Sequence, residues 1–258
     1  MPYPVSMALS SRTIGWRQTL TTPLADTVPP SPPPLVSDSF RPSGHTGLLL
    51  SALRRFSGNA LKRSGLDMGI GSGTVLAMLG TIGVERLFGV DIDPEALAAT
   101  ARLMAQTGLQ DRADLRLGSL WEPLQHERFD IIASNMPQFA ATEPADPEHS
   151  PHWSFGGPDG RRFMDPFLAD LRDHMDESSV AYITHNRFLG MERTEALLRQ
   201  TGLAAREILS SAILLHPLKA ALLHADIRST PDRSGLILLG PYEFMEVQIL
   251  EIRPRGAA

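Results

Sequence analysis

Gly65-Leu66-Asp67-Met68-Gly69-Ile70-Gly71-Ser72-Gly73-Thr74 runs a short apolar strand into three glycines at alternate positions, and Val75 to Leu79 continue as an apolar segment. Alternating glycines let the backbone turn tightly and leave bare peptide N–H groups at a helix N-terminus, where a ligand can lie against them. Gly69, Gly71 and Gly73 therefore read as a cofactor turn. A dinucleotide fingerprint counted from Gly69 and Gly71 requires Gly or Ala at position 74, and Thr74 stands there. Asp67, just upstream of the first glycine, can accept hydrogen bonds from an ammonium group or from turn N–H groups. That suits an amino-acid-bearing ligand better than a pyrophosphate.

Outward from the turn, strands and helices alternate. Arg86 to Glu95 reads as a buried strand ending in acids, followed by a helix with Asp93 as its N-cap and Pro94 at its first position, closing near Gly108. Leu115 to Leu120 is a third strand with its exit turn, and Phe129 to Ser134 a fourth that runs into Asn135-Met136-Pro137-Gln138. Upstream, Phe40 to Leu50 forms a turn and then an apolar helix through about Phe56. Downstream come a helix from about Asp165 to Met175, a strand Val180 to Thr184, a helix Glu192 to Thr201, a strand Ala205 to Ile213 and a final alternating strand Phe244 to Ile252. Between the last two lies an insertion, helical over His216 to Ala225 and apolar over Gly235 to Leu239, suited to a cap or an oligomer contact. Motifs at successive strand ends predict an α/β fold built on a single doubly wound sheet over residues 39–258. Residues 1–38, with the cluster Pro29 to Pro34, read as a Pro-rich N-terminal arm or lid.

Composition narrows the function. Lys+Arg 24 against Asp+Glu 29 gives a formal charge of −5 and a pI near 5.9, so no basic excess points to nucleic acid or an anionic membrane, and a small-molecule substrate is expected. The chain has no cysteine, which excludes disulfides, thiolate metal sites and a Cys nucleophile. No apolar run approaches the ~20 residues of a membrane helix, and the basic-then-apolar order of a secretion signal is absent, so a cytoplasmic location is expected. Oligomeric state is left open.

Asp67-Met68-Gly69-Ile70-Gly71-Ser72-Gly73 resembles the first motif of class I S-adenosylmethionine-dependent methyltransferases. Asn135-Met136-Pro137-Gln138 resembles the Asn-Pro-Pro-Tyr motif of members acting on planar nitrogen, with Met136 for the first Pro and Gln138 for the aromatic. Gly156-Gly157-Pro158-Asp159-Gly160 is similar to the Gly-Gly-x-Asp-Gly that follows this motif in protein-glutamine methyltransferases, and the aromatic-x-Pro segment with Thr46 and a Leu-rich helix matches their closing arm. The resemblance covers about Phe40 to Ile252 and implies a mostly parallel, seven-stranded Rossmann-like sheet with an antiparallel final strand. It implies S-adenosylmethionine as cofactor, held by Asp67, Gly69, Gly71, Gly73, Asp91 on the ribose, Ile92 on the adenine face, Ser119 or the Leu120 backbone at the adenine amino group, and Asn135. Asn135 and Pro137 would act on the acceptor, with Arg41, His45 and Thr46 bordering the site. Gln138, Trp153, Phe155, His185 and Asn186 are the substrate-side candidates, the last two equally compatible with loop or capping roles. His149 and His152 lack the Glu partner and rigid setting of a metal site, so no metal is expected.

Three activities follow as expectations. The first is methyl transfer to a nitrogen of a small molecule or a side-chain amide. The second, motivated by the missing aromatic platform, is intramolecular closure of the cofactor's aminobutyrate moiety to azetidine-2-carboxylate with release of methylthioadenosine. The third is a non-catalytic cofactor-binding module.

Overall fold

The computed structural model describes residues 41–58, 62–141, 154–229 and 235–256, the side chain of Leu218 excepted. The arm at 1–38 and Trp153, with His149 and His152, lie outside these residues.

The chain enters through α1 (Gly44–Phe56), whose start is set by a capping box: the Ser43 hydroxyl accepts the Thr46 N–H, and the Ser43 N–H donates to Thr46 Oγ1 at 3.2 Å. That box fixes Thr46 beside the site described below. Then follow β1 (Ser64–Met68), α2 (Thr74–Thr81), β2 (Arg86–Asp91), α3 (Pro94–Gln106), β3 (Ala113–Leu117) and β4 (Phe129–Ser134). As expected, α3 is capped by Asp93, whose side chain accepts the Glu95 N–H at 2.8 Å, with Pro94 behind it. The second half comprises α4 (Met164–Asp170), β5 (Met175–Asn186), α5 (Met191–Gln200), β6 (Leu203–Leu214), α6 (Pro217–Leu222), α7 (Ala225–Arg228), β7 (Leu236–Leu239) and β8 (Tyr242–Pro254).

The strands form one sheet in the order β3-β2-β1-β4-β5-β8-β6, with β7 paired to β8. The first five are parallel, and β8 runs antiparallel between β5 and β6. The expected seven-stranded mostly parallel sheet is therefore present, and the insertion adds β7 as a short eighth strand. Both faces are covered: Leu49, Leu53, Leu76, Leu79, Tyr182 and Ile249 pack on one side, Phe167, Leu168, Leu198 and Leu250 on the other. Each is fully buried, a contribution of about 1.5–3 kcal/mol per side chain. This two-sided burial is what a parallel sheet requires, and it shows in the near-continuous burial of successive residues along β1 and β4.

Of the boundaries that differ from the sequence reading, two bear on the site. The helix expected over Asp165 to Met175 stops at Asp170 and tightens into a 3-10 turn, because Met175 is already paired with Phe129 at the start of β5. The strand expected to end at Thr184 continues through Asn186, since antiparallel β8 carries its ladder to the Asn186–Val247 pair. His185 and Asn186 are thus strand residues, not loop residues.

Candidate active site

The cofactor turn is built as its spacing demands. Gly69, Gly71 and Gly73 have φ of 77°, 47° and 75°, a region that other residues adopt only under strain. A Cβ on Gly73 would also lie 2.8 Å from Thr100 of α3, so the turn packs directly on that helix. The Val90 carbonyl accepts the N–H groups of both Gly69 and Ile70, at 2.8 and 3.2 Å, drawing the turn back onto β2.

Asp91 closes the other side. One carboxylate oxygen accepts the Gly71 N–H and the other the Asp93 N–H, each at 3.0 Å. Burial nonetheless pushes its carboxyl above the usual range, against these two bonds. Each oxygen keeps a further lone pair, the capacity two ribose hydroxyls need. Beside it Ile92 is 63% exposed, and Leu117, paired with Asp91 across the sheet, is 58% exposed. Large apolar side chains left bare at a strand end are the complement of a planar, apolar ring face. The loop that follows carries Leu120 at φ 49°, the one positive φ of a non-glycine among the described residues, while the Ser119 N–H is taken up by Glu122 at 3.3 Å. Left-handed glycines packed at a helix start, an Asp91 carboxylate at the strand end and exposed apolar flanks together fit S-adenosylmethionine.

Asp67 stands behind the turn. It is 1% exposed and accepts an N–H from Leu76 in the first turn of α2, while its Oδ2 has no hydrogen-bond partner. Burial, only partly offset by the Leu76 N–H, holds its carboxyl well above the ordinary range, and Asp91 raises it further. The backbone N–H it accepts comes from α2 and not from the glycine turn itself.

At the end of β4, half-buried Asn135 is held at both ends of its amide: Nδ2 donates to Thr46 Oγ1 at 3.3 Å, and Oδ1 accepts from Thr184 Oγ1 at 2.9 Å. The motif adjoins the glycine turn, for a Cβ on Gly69 would meet the Met136 Cα at 4.0 Å.

Several substrate-side expectations are corrected. Gln138 is 4% exposed and turned inward, hydrogen-bonded to Thr184 and Asn186, so its side chain is no contact surface. His185 is fully buried and bonds Thr194 of α5 at 2.9 Å, because strand alternation sends it to the face opposite Thr184. Asn186 is 2% exposed and bonds His45 Nε2 at 2.9 Å, so it reaches the cleft only through His45. Phe155 packs edge-on against Phe139 with centroids 6.0 Å apart, under the insertion. The insertion itself covers the segment after the motif: Leu215, Ala220, Leu223 and Leu236 bury Phe139 and Ala141, and Lys219 lies 5.7 Å from the Phe139 ring. Thr184, Leu117 and Glu122 were missed. Thr184 carried a signal, a hydroxyl ending an otherwise apolar buried run.

Two measurements follow. Asp91→Ala removes a charged acceptor of two hydrogen bonds, worth roughly 3 kcal/mol together, so S-adenosylmethionine affinity by calorimetry is expected to fall about 100-fold. Unchanged affinity would remove Asp91 from the ribose. His185 is held down to about 4 from 6.5, chiefly by burial and then by the Arg161 charge. Between these values the unfolded chain binds the proton and the folded one does not. Stability is therefore complete above pH 6.5 and falls as pH drops to about 4, by roughly 3 kcal/mol. Denaturant titration of His185→Gln is expected to show that much less loss over the same window.

Residues 66–150 match the family model described as a methyltransferase domain. With the sheet order and the glycine turn, the chain has a methyltransferase-like fold and is similar to class I S-adenosylmethionine-dependent methyltransferases, protein-glutamine methyltransferases among them. It is 34% identical over 122 residues to the ribosomal protein uL3 glutamine methyltransferase of Bordetella pertussis, which is 45% of this chain and 41% of that one. It is 39% identical over 103 residues to the release factor glutamine methyltransferase of Caulobacter vibrioides, 37% of this chain and 35% of that one. The chain thus spans well under half the length of these relatives. Among solved structures, the E. cuniculi Mtq2–Trm112 complex shares the fold, with TM-score 0.54 and 18% identity over 84% of this chain and 99% of that chain. The relatives are named for protein substrates, which overturns the small-molecule partner expected from charge. Among the described residues no helix is long and apolar enough to cross a membrane.

Proposed function

We propose that the protein transfers a methyl group to the side-chain amide nitrogen of a glutamine in a protein acceptor. The observation that carries this reading is Asn135, immobilised at both ends of its amide and half-exposed beside the glycine turn. S-adenosylmethionine, when bound, supplies a methyl group activated by its sulfonium. The chain's part is placement. Asn135 Oδ1 retains one lone pair for an acceptor N–H, and the Pro137 carbonyl at the strand exit offers a second acceptor. Holding both N–H groups aims the nitrogen, and such orientation supplies most of the rate advantage in a displacement that needs no metal or covalent intermediate. Asp91, Ile92 and the glycine turn hold the cofactor, with Ser119 and Leu120 at the adenine end.

The cyclisation reading drew on the missing aromatic at position 138. With Gln138 turned inward and engaged, that substitution has a structural account, and no observation favours cyclisation.

The test incubates the protein with tritiated S-adenosylmethionine and, as probes, a release factor and ribosomal protein uL3, then analyses acid hydrolysates and digests. Methylglutamine in either probe is the expected product. Methylthioadenosine without an acceptor, or tight cofactor binding without turnover on any protein fraction, would reject the reading.

A further inference from the structure

The hydrogen bonds behind Asn135 admit one consistent set of donors. Gln138 Oε1 accepts the Asn186 backbone N–H at 2.9 Å, which fixes which end of the Gln138 amide is oxygen. Its Nε2 then donates to the Thr184 carbonyl at 2.9 Å and to Thr184 Oγ1 at 2.8 Å. An amide NH2 accepts nothing, so the Thr184 hydroxyl is the acceptor in that bond and its own proton must go elsewhere. Asn135 Oδ1, 2.9 Å away, receives it. Nδ2 of Asn135 is thereby turned to Thr46. The sequence of bonds starts at a main-chain N–H that cannot reverse and ends at the one member that is not fully enclosed: Gln138 and Thr184 are 4% and 0% exposed, Asn135 half-buried.

We propose that Gln138 is a positioning residue which, through the Thr184 hydroxyl, locks the Asn135 amide in one orientation, with one Oδ1 lone pair and one Nδ2 proton toward the acceptor. This rests on the reading of Asn135 as the residue that holds the acceptor. A donor and an acceptor side by side match a primary amide, which carries the same pair in reverse. No aromatic face comes from position 138, so a planar nucleobase amine loses its stacking surface there. The lock therefore selects a side-chain amide over a base nitrogen, and the substitution of Gln138 for an aromatic is what makes the lock possible.

The experiment compares Gln138→Leu, Thr184→Val and Thr184→Ser in the native chain and in an Asn135→Ala background, with the release factor and uL3 as methyl acceptors. Thr184→Val keeps the buried volume and removes only the relay. It is expected to lower kcat/KM for the acceptor roughly 10- to 100-fold, Thr184→Ser to restore most of it, and cofactor affinity to change less than about 2-fold. In the Asn135→Ala background Thr184→Val and Gln138→Leu are expected to add less than about 2-fold, because residues acting through one group are non-additive. An undiminished effect in that background overturns the relay. Full activity of Asn135→Ala alone overturns the reading of the site instead. A readout that needs no acceptor is the side-chain amide NMR signal of Asn135: sharp and inequivalent in the native protein, broadened in Thr184→Val. Identical signals in both would also overturn the lock.

Discussion

Asn135→Ala is expected to lower methyl transfer by roughly 10²- to 10³-fold, the scale seen when one preorganised polar group is removed from a reacting centre, while S-adenosylmethionine affinity changes little. The asymmetry comes from where the side chain points. Its two polar atoms are engaged by Thr46 and Thr184, which belong to α1 and β5, and neither bond touches the glycine turn or Asp91. Removing the amide leaves Thr184 with a hydroxyl proton unplaced, a modest penalty of about 1–3 kcal/mol set against a fully buried strand end. The fold therefore survives, and the loss is read in turnover. Calorimetric titration with the cofactor and single-turnover methylation of the release factor separate the two. Collapse of cofactor affinity with retained single-turnover rate would move Asn135 to the cofactor side.

The cofactor half of this site was legible in the sequence because it is local. Gly69, Gly71, Gly73 and Asp91 act through backbone geometry and strand-end position, which spacing alone encodes, and the structure places all four around one turn. Asp93 and Pro94 likewise announce a helix start that needs no tertiary context. The acceptor half was not legible, because it depends on which face of a strand a residue presents and on pairs distant in the chain. His185 and Asn186 look equivalent in sequence, yet the pleat sends the first to α5 and the second to α1. Gln138 looked like a substrate contact in an aromatic's place, and only the register of β5 brings Thr184 and Asn186 within reach of its amide. Charge misled for a related reason: a net −5 describes the whole surface, whereas a protein acceptor of the proposed kind would meet one face of it.

The largest expected effect on stability is at Gly160. Its φ is 74°, and a Cβ there would run into the Gln138 carbonyl oxygen and lie 2.8 Å from Leu189 and 3.0 Å from Phe188. A backbone oxygen cannot turn aside as a flexible side chain would. Nor can the loop retreat, because Gly156 already sits against the Gln138 Cα, where a Cβ would come within 2.9 Å. Buried Arg161 also ties the segment to Leu189 at 2.6 Å, Asp165 at 2.7 Å and Thr194 at 3.0 Å. Gly160→Ala therefore adds the strain of a left-handed residue, about 1–2 kcal/mol, to overpacking of about 1–3 kcal/mol. A fall of roughly 10 °C in the melting temperature follows for a chain of this size. Gly108→Ala is the control: φ there is 70° with nothing within 4 Å of the added Cβ, so only the strain remains. If the two variants melt alike, the Gly156–Gly160 loop is not the rigid buttress of the motif that its contacts describe. If Gly160→Ala melts far lower and its surviving fraction also loses acceptor turnover more than cofactor affinity, the loop holds Gln138, and through it Asn135, in place.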